Sequence, residues 1–435
     1  MKKWISIFLL FISQTSLLIP SYATSSLAPV YSLLLDGGSW ADNTKVVSTD
    51  RRADSHFGNS IAIFGDYAIV GAYQEDYITG NFLTNKYDSG AAYLYKHNKT
   101  KNIWELIEKI SPNIDSAEFG SSVAIDENTI VIGAWDEDTN GSQSGTAHGA
   151  VYIYESYTQG TGKPIKLSHD IANTWFGKSV AISNNRIIVG SPWGHTSAGE
   201  AGVNGDQNHG VAYVYSKNTG LWTLEQQIIS PQADTWFGQS VSISGNYLVI
   251  GSQAGSIEGA AYAYYYDNGN WEENGAFFLD GREGVNLANK VLVSDSFLFV
   301  TAYLDNHSSN GITTGSVSVY KRNAGDTSWG FTQKIEPSEL QSNLVFGSDI
   351  SISNDEKTLA IGDKGAGKVH LYSQSSAGWS SNHSVKAFGN GSESAFGQSV
   401  ATTNSSLVVG DPNHKYDVNG LNSVNSAGAA YFFGY

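Results

Sequence analysis

The 435-residue chain carries 41 acidic against 25 basic side chains, a formal charge of −16, and contains no cysteine. That balance repels phosphate backbones and anionic lipid, which excludes nucleic-acid binding. A chain without disulfides must be held by its core, which this length can bury. Charged residues are 15% of the total, below the roughly 25% of ordinary globular chains, and Gly, Ser, Asn and Tyr fill the difference.

The first residues read as a targeting segment. Lys2 and Lys3 precede a mostly apolar run over residues 5–19, and Ser21-Tyr22-Ala23 has the small-x-small form of a cleavage site. These features predict a signal peptide over residues 1–23, too short for a comfortable bilayer span. The expected mature chain, residues 24–435, is a single domain that is secreted or periplasmic, or held at the cell surface. No later apolar run is long enough to cross a bilayer.

From residue 57 one pattern recurs. Phe57-Gly58 is followed by Gly71-Ala72, and the pair returns as Phe119-Gly120 with Gly133-Ala134 and as Phe176-Gly177 with Gly190-Ser191. It returns again as Phe237-Gly238 with Gly251-Ser252, Phe346-Gly347 with Gly362-Asp363, and Phe396-Gly397 with Gly410-Asp411. A worn copy, Leu287-Ala288 with Thr301-Ala302, aligns to the first without a gap. The starts at 57, 119, 176, 237, 287, 346 and 396 lie 50 to 62 residues apart, a period that means a solenoid, a propeller or an array.

Each copy predicts four strands. The first alternates, as in Ser240-Val241-Ser242-Ile243-Ser244, and a tight turn such as Gly245-Asn246 follows. The second is a near-continuous apolar run, Tyr247-Leu248-Val249-Ile250, suited to the middle of a sheet. The third opens on glycine and carries tyrosines, as in Gly90-Ala91-Ala92-Tyr93-Leu94-Tyr95. The fourth is announced by tryptophan: Trp104, Trp222, Trp271, Trp329 and Trp379. These tryptophans and third-strand tyrosines are expected to pack between units.

Four antiparallel strands in each of seven units, without helical periodicity, predict an all-β, seven-bladed β-propeller. No polar capping repeat supports a solenoid. The last copy stops after its third strand, and Trp40 with residues 41–48 stands where a fourth strand would precede the first repeat. The N-terminal strand is therefore expected to complete the last blade.

Six intact Phe-Gly copies and one degenerate copy, each closing in a Gly-Ala-x-Tyr-x-Tyr strand, resemble the FG-GAP repeats of bacterial secreted proteins and of the integrin alpha N-terminal propeller. The resemblance covers roughly residues 40–435. It implies a propeller used for extracellular adhesion or ligand binding, usually without catalysis. The Asp-rich calcium loop of integrin-type repeats has no counterpart in the short first turns here, such as Ser183-Asn184-Asn185-Arg186, so that role is not carried over.

Candidate function gathers in the loops between second and third strands, which open on one face. They hold 17, 14, 18, 6, 12, 3 and 16 residues in blades 1 to 7, so blades 7, 1, 2 and 3 form a sector of long loops. Insertions on a rigid scaffold often carry function. These loops bring Tyr73, Trp135, Trp193 and Tyr303, together with Glu75 and Asp76. Aromatic faces beside carboxylates can stack on a sugar or anchor a protein partner; the other reading is that the rings shield the blade tops.

Asp136, Asp138 and Asn140 match the first half of a calcium loop, with Gly141 at the turn but Ala147 in place of its final glutamate. Calcium is the one cofactor the sequence suggests. His148, His195, His209, His307 and His414 lie in loops of different blades without metal-ligand spacing, and no nucleophile-elbow, zincin or P-loop pattern occurs. The expected protein is a monomeric, non-enzymatic recognition or adhesion propeller with an extracellular glycan or protein partner. The alternative is a polysaccharide-active hydrolase or lyase on the same scaffold, whose carboxylates would converge at one end of the axial channel.

Overall fold

The structure, a computed structural model, describes residues 40–435 apart from 81–83, 139–146, 170, 172–173, 195–208, 232–234, 255–258, 278–286, 307–310, 340, 342–343 and 389–394. Residues 42–435 form one compact unit. Among the described residues the chain forms seven four-stranded antiparallel sheets, the blades of a β-propeller. Blade 1 runs outward through Ile61–Phe64, Tyr67–Ala72, Ala91–Asn98 and Ile103–Ile110. Each inner strand packs on the next, and the series closes where the inner strand of blade 7, Ser399–Thr402, meets that of blade 1. The outer strand of blade 7 is Ala41–Val46, hydrogen-bonded beside Ala429–Gly434, so the sheet order is the closure that the sequence suggests.

The repeated residues make the seams between blades. Phe57, Phe119, Phe176, Phe237, Phe346 and Phe396 are all fully buried. The glycine after each has φ between +87° and +92°, a region closed to most side chains. Gly58 donates its N–H to the Gly71 carbonyl at 2.9 Å, locking the first strand to the second within a blade. Across the seam, Gly71 lies so close to the Gly120 carbonyl that no Cβ fits, and Gly410 meets the Gly58 carbonyl in the same way. The third-strand glycine bridges to the next phenylalanine, as Gly90 does to Phe119 and Gly428 to Phe57. One glycine triplet therefore serves both the blade and its neighbour.

Where the fourth strand carries a tryptophan, as in blades 1, 3 and 4, it clamps its blade to the preceding one. Trp104 stacks on Phe432 of blade 7 at 4.6 Å, the Trp222 indole N–H donates to Glu155 of blade 2 at 2.7 Å, and that of Trp271 to Glu225 of blade 3 at 3.1 Å. The second strands are the most deeply covered elements; Thr129–Ala134 is buried along its whole length. In the worn blade 5, Ala288 takes the place of the glycine and keeps a positive φ of 60°.

Candidate functional site

The first strands enter the ring at the same face as the second-to-third loops leave it, because each Phe-Gly is bonded to its own Gly-Ala. The residues after the Phe-Gly glycines therefore point to the axis. They line an axial cavity of about 900 Å³, walled by the inner strands and by the first residues of several loops. Tyr73, Trp135 and Tyr303 occupy equivalent places at the start of their loops, and all three lie on the cavity wall.

The most elaborate part of this wall lies where blades 1, 2 and 3 meet. Trp135 and Trp175 meet edge to face at 5.0 Å, and Trp175 leans on Trp193 at 4.9 Å. The Lys178 ammonium sits 4.0 Å from the Trp135 ring centroid and 5.5 Å from that of Trp175. Gln74 reaches toward Glu118 at 3.5 Å, and Tyr73 stacks on His56 at 5.4 Å. One Glu118 oxygen and the Trp193 indole N–H are buried without a hydrogen-bond partner. Such atoms are costly unless something satisfies them.

The electrostatics of this corner are unusual. Burial, reinforced by Asp136, pushes the Glu118 carboxyl up to about 7, with Lys178 opposing the shift. Burial and then Asp138 push Asp136 up to about 6. Burial lowers Lys178, against the pull of Glu118 and Asp136. Burial disfavours every charge here, so the corner holds protonatable groups near neutrality beside a wall of indoles.

Glu75 and Asp76 are placed differently from the aromatics. Glu75 turns inward and is only 1% exposed: it accepts from the Tyr93 hydroxyl at 2.7 Å and from Ser48 at 2.9 Å, and it pairs with Lys109 at 2.5 Å. Blade 2 repeats the arrangement with Glu137, Tyr152 and Lys166, and in blade 5 Asp305 takes Ser316 and Lys334. The backbone carbonyls of Glu75, Glu137 and Asp305 also accept the third-strand glycine N–H. This acid therefore fastens the loop to its own blade, and Glu75 is not available to a ligand. The Asp76 carboxylate accepts the Asp88 N–H at 3.1 Å and shapes its loop.

Of the calcium candidates, Asn140 lies outside the described residues. Asp138 stands 3.7 Å from His148 Nδ1, and Asp136 joins the acidic side of the Trp135 corner. No group of three metal-ligating side chains is assembled among the described residues. His195 and His307 also lie outside the described residues. His414 is buried between Asp411 at 3.5 Å and the Tyr431 hydroxyl at 3.3 Å.

Reading the loops alone misses Glu118, Trp175 and Lys178. Their signal lies beside the repeat itself: Glu118 precedes Phe119, Trp175 precedes Phe176, and Lys178 follows Gly177. Those flanking positions vary among the six intact copies while the Phe-Gly pair does not.

A closed ring of seven four-stranded blades around a polar cavity defines the class as a seven-bladed β-propeller. The model of the FG-GAP repeat matches residues 40–95, 104–154, 170–215 and 222–264, so the chain carries four matched FG-GAP repeats. Each later match begins at or near an outer strand and runs into the next blade, the same phase offset that closes the ring. No curated protein matches the chain. Among solved structures it is similar to the Cps50 (Swd1) propeller domain of Myceliophteria thermophila, with a TM-score of 0.55, 8% identity, and 91% of this chain and 100% of that one covered. It is also similar to Kuenenia stuttgartiensis hydrazine synthase, with a TM-score of 0.53, 13% identity and coverages of 83% and 94%. The Pseudomonas aeruginosa periplasmic gluconolactonase PpgL aligns with a TM-score of 0.50, 11% identity and coverages of 76% and 85%. At these identities the likeness is one of fold.

Proposed function

We propose that this protein is a secreted recognition or adhesion propeller that binds a saccharide chain at the mouth of its axial cavity, without catalysing a reaction on it. The observation that carries the reading is Trp135, which lines a cavity large enough for sugar rings beside Glu118 and Lys178 and is backed by Trp175 and, behind it, Trp193. Indole faces supply stacking area at low entropic loss, and the carboxyl and ammonium groups supply directional partners for hydroxyls. The test is a glycan array and a cell-surface binding assay with residues 24–435. Wild-type binding that disappears in Trp135→Ala supports the reading; binding untouched by Trp135→Ala and Trp193→Ala overturns it.

A polysaccharide-active enzyme is the second reading. It is favoured by one feature, the two carboxyls of Glu118 and Asp136 held at about 7 and about 6 in one corner. Release of new reducing ends from a bound polysaccharide, lost in Glu118→Gln, would establish it. Binding without release leaves recognition as the function.

A further inference from the structure

The other side of the cavity, at blades 5 and 6, has an opposite character. In blades 1, 2, 3 and 7 the second residue after the Phe-Gly glycine is a serine, Ser60, Ser122, Ser179 or Ser399. Its hydroxyl donates to the glycine carbonyl of the next blade at 2.7–2.8 Å. Blade 5 replaces this seam-making serine with Lys290, and blade 6 has Asp349 there. Both line the cavity, 3.3 Å apart. At the loop start where blades 1, 2 and 5 carry Tyr73, Trp135 and Tyr303, blade 6 carries Lys364, also on the cavity wall. Among the described residues its ammonium donates to the neutral Gln398 amide oxygen, at 2.8 Å.

The described cavity wall thus holds Lys178, Lys290 and Lys364 against Glu118 and Asp349, in a chain whose formal charge is −16. Lys178 is taken up by the indoles and acids of its own corner. Lys290 and Lys364 stand close enough to repel one another, and Lys364 is lowered first by burial and then by Lys290. Lys290 pairs with Asp349, while Lys364, half-buried beside Lys290 and bonded to a neutral amide, is left short of negative charge.

We propose that Lys290 and Lys364 form an anion subsite on the blade 5–6 wall of the axial cavity, which takes the carboxylate or sulfate of an acidic saccharide. This rests on the saccharide reading for the identity of the ligand, but the subsite itself does not. The bound anion would complete the charge around Lys364 and share Lys290 with Asp349, through charge-assisted hydrogen bonds stronger than those to a neutral hydroxyl. Neutral sugars would then bind the indole corner alone.

The test is isothermal titration calorimetry of residues 24–435 with three probes: sodium sulfate, potassium glucuronate and glucose, at matched ionic strength. Sulfate and glucuronate should bind, with glucose roughly tenfold weaker than glucuronate or more. Lys364→Gln and Lys290→Gln should each weaken both anions about tenfold and leave glucose unchanged. Asp349→Asn, which frees Lys290 while keeping an oxygen for the Val400 N–H, should strengthen sulfate binding severalfold. Trp135→Ala should weaken both sugars and spare sulfate. Sulfate that does not bind, or that binds equally to both lysine variants, overturns the subsite. Sulfate binding that needs the lysines, with no binding of either sugar, keeps the subsite and refutes the saccharide reading.

Discussion

The seams between blades and the rim of the cavity are built from adjacent residues of the same repeat, and they behave in opposite ways. At the seam, the Phe-Gly phenylalanine is fully buried and its glycine keeps nearly one φ in every intact copy. One residue further along, the rim reads Asn59, Ser121, Lys178, Gln239, Ser348 and Gln398. Seam positions face a neighbouring backbone that is identical in each blade, so each has one solution. Rim positions face the cavity, where the neighbours differ, and nothing in the ring dictates their chemistry. The lesson is that departure from the repeat, rather than adherence to it, marks function. Blade 5 shows that the seam can also bend: Ala288 and Thr301 stand where the other blades carry glycine, and Gly347 of blade 6 faces the Thr301 side chain instead of a bare glycine.

The largest effects should come from breaking the seam. Deleting residues 24–50 removes the outer strand Ala41–Val46 and with it the Lys45 hydrogen bond to the Asp417 carbonyl. The Ala429–Gly434 edge is then unpaired, and loss of a single cooperative melt together with aggregation is expected. A truncated protein that melts as the longer one does would show that closure carries no stability. Trp222→Ala should destabilise by about 3–5 kcal/mol, since the ring is buried and its N–H holds Glu155. Gly120→Ala should cost roughly 2–4 kcal/mol, because its φ is +88° and a Cβ would strike the Ala91 carbonyl. Urea melts rank the three, and a harmless Gly120→Ala would mean that every blade tolerates what blade 5 does.

This asymmetry also explains how much could be read from the sequence. Phe-Gly, Gly-Ala and the tyrosine strand are spaced by fixed hydrogen bonds, so blade number, strand order and closure at residues 41–46 follow from the repeat. Tyr73, Trp135 and Tyr303 could be picked out as loop aromatics, and their shared place after Gly-Ala or its equivalent puts them on the cavity wall. Glu75 was not: a carboxylate in a long loop looks solvent-facing until Tyr93 and Lys109, distant in the chain, are seen to enclose it. Lys178 and Glu118 were overlooked because they flank a structural motif. Their pairing needs the ring to bring blades 2 and 3 side by side.

At the rim, the expected effects fall on binding more than on folding. Trp135→Ala leaves the buried seam intact, so its melting temperature should stay near that of the wild type. Affinity for the saccharide ligand should fall by about 1 kcal/mol or more, roughly fivefold or greater, as for truncated hot-spot aromatics. If Trp135→Ala instead loses stability as Trp222→Ala does while binding persists, the indole cluster is a lid on the core and the contrast between rim and seam fails.

The smallest effect is a pH dependence at Glu118. An ordinary glutamate in the unfolded chain ionises near 4.5, whereas the folded protein holds this carboxyl at about 7. The folded state therefore binds the proton more tightly. Its contribution to stability is fully present below about 4.5 and is lost as pH rises toward 7. Asp136, raised to about 6, acts in the same direction over a lower window. Glu118→Gln keeps a neutral, hydrogen-bonding side chain and removes the titration. The variant should match the wild type at pH 4 and exceed it at pH 8. The full shift already nets the opposing attraction of Lys178, and solvent screening of this half-buried carboxyl makes the gain smaller than that shift. A net stabilisation of about 1 kcal/mol at pH 8 is expected. Paired denaturant melts at the two pH values decide it. A variant less stable than the wild type at pH 8 would mean that the Glu118–Lys178 attraction outweighs the burial of the carboxylate, and that this corner of the rim is held together as firmly as a seam.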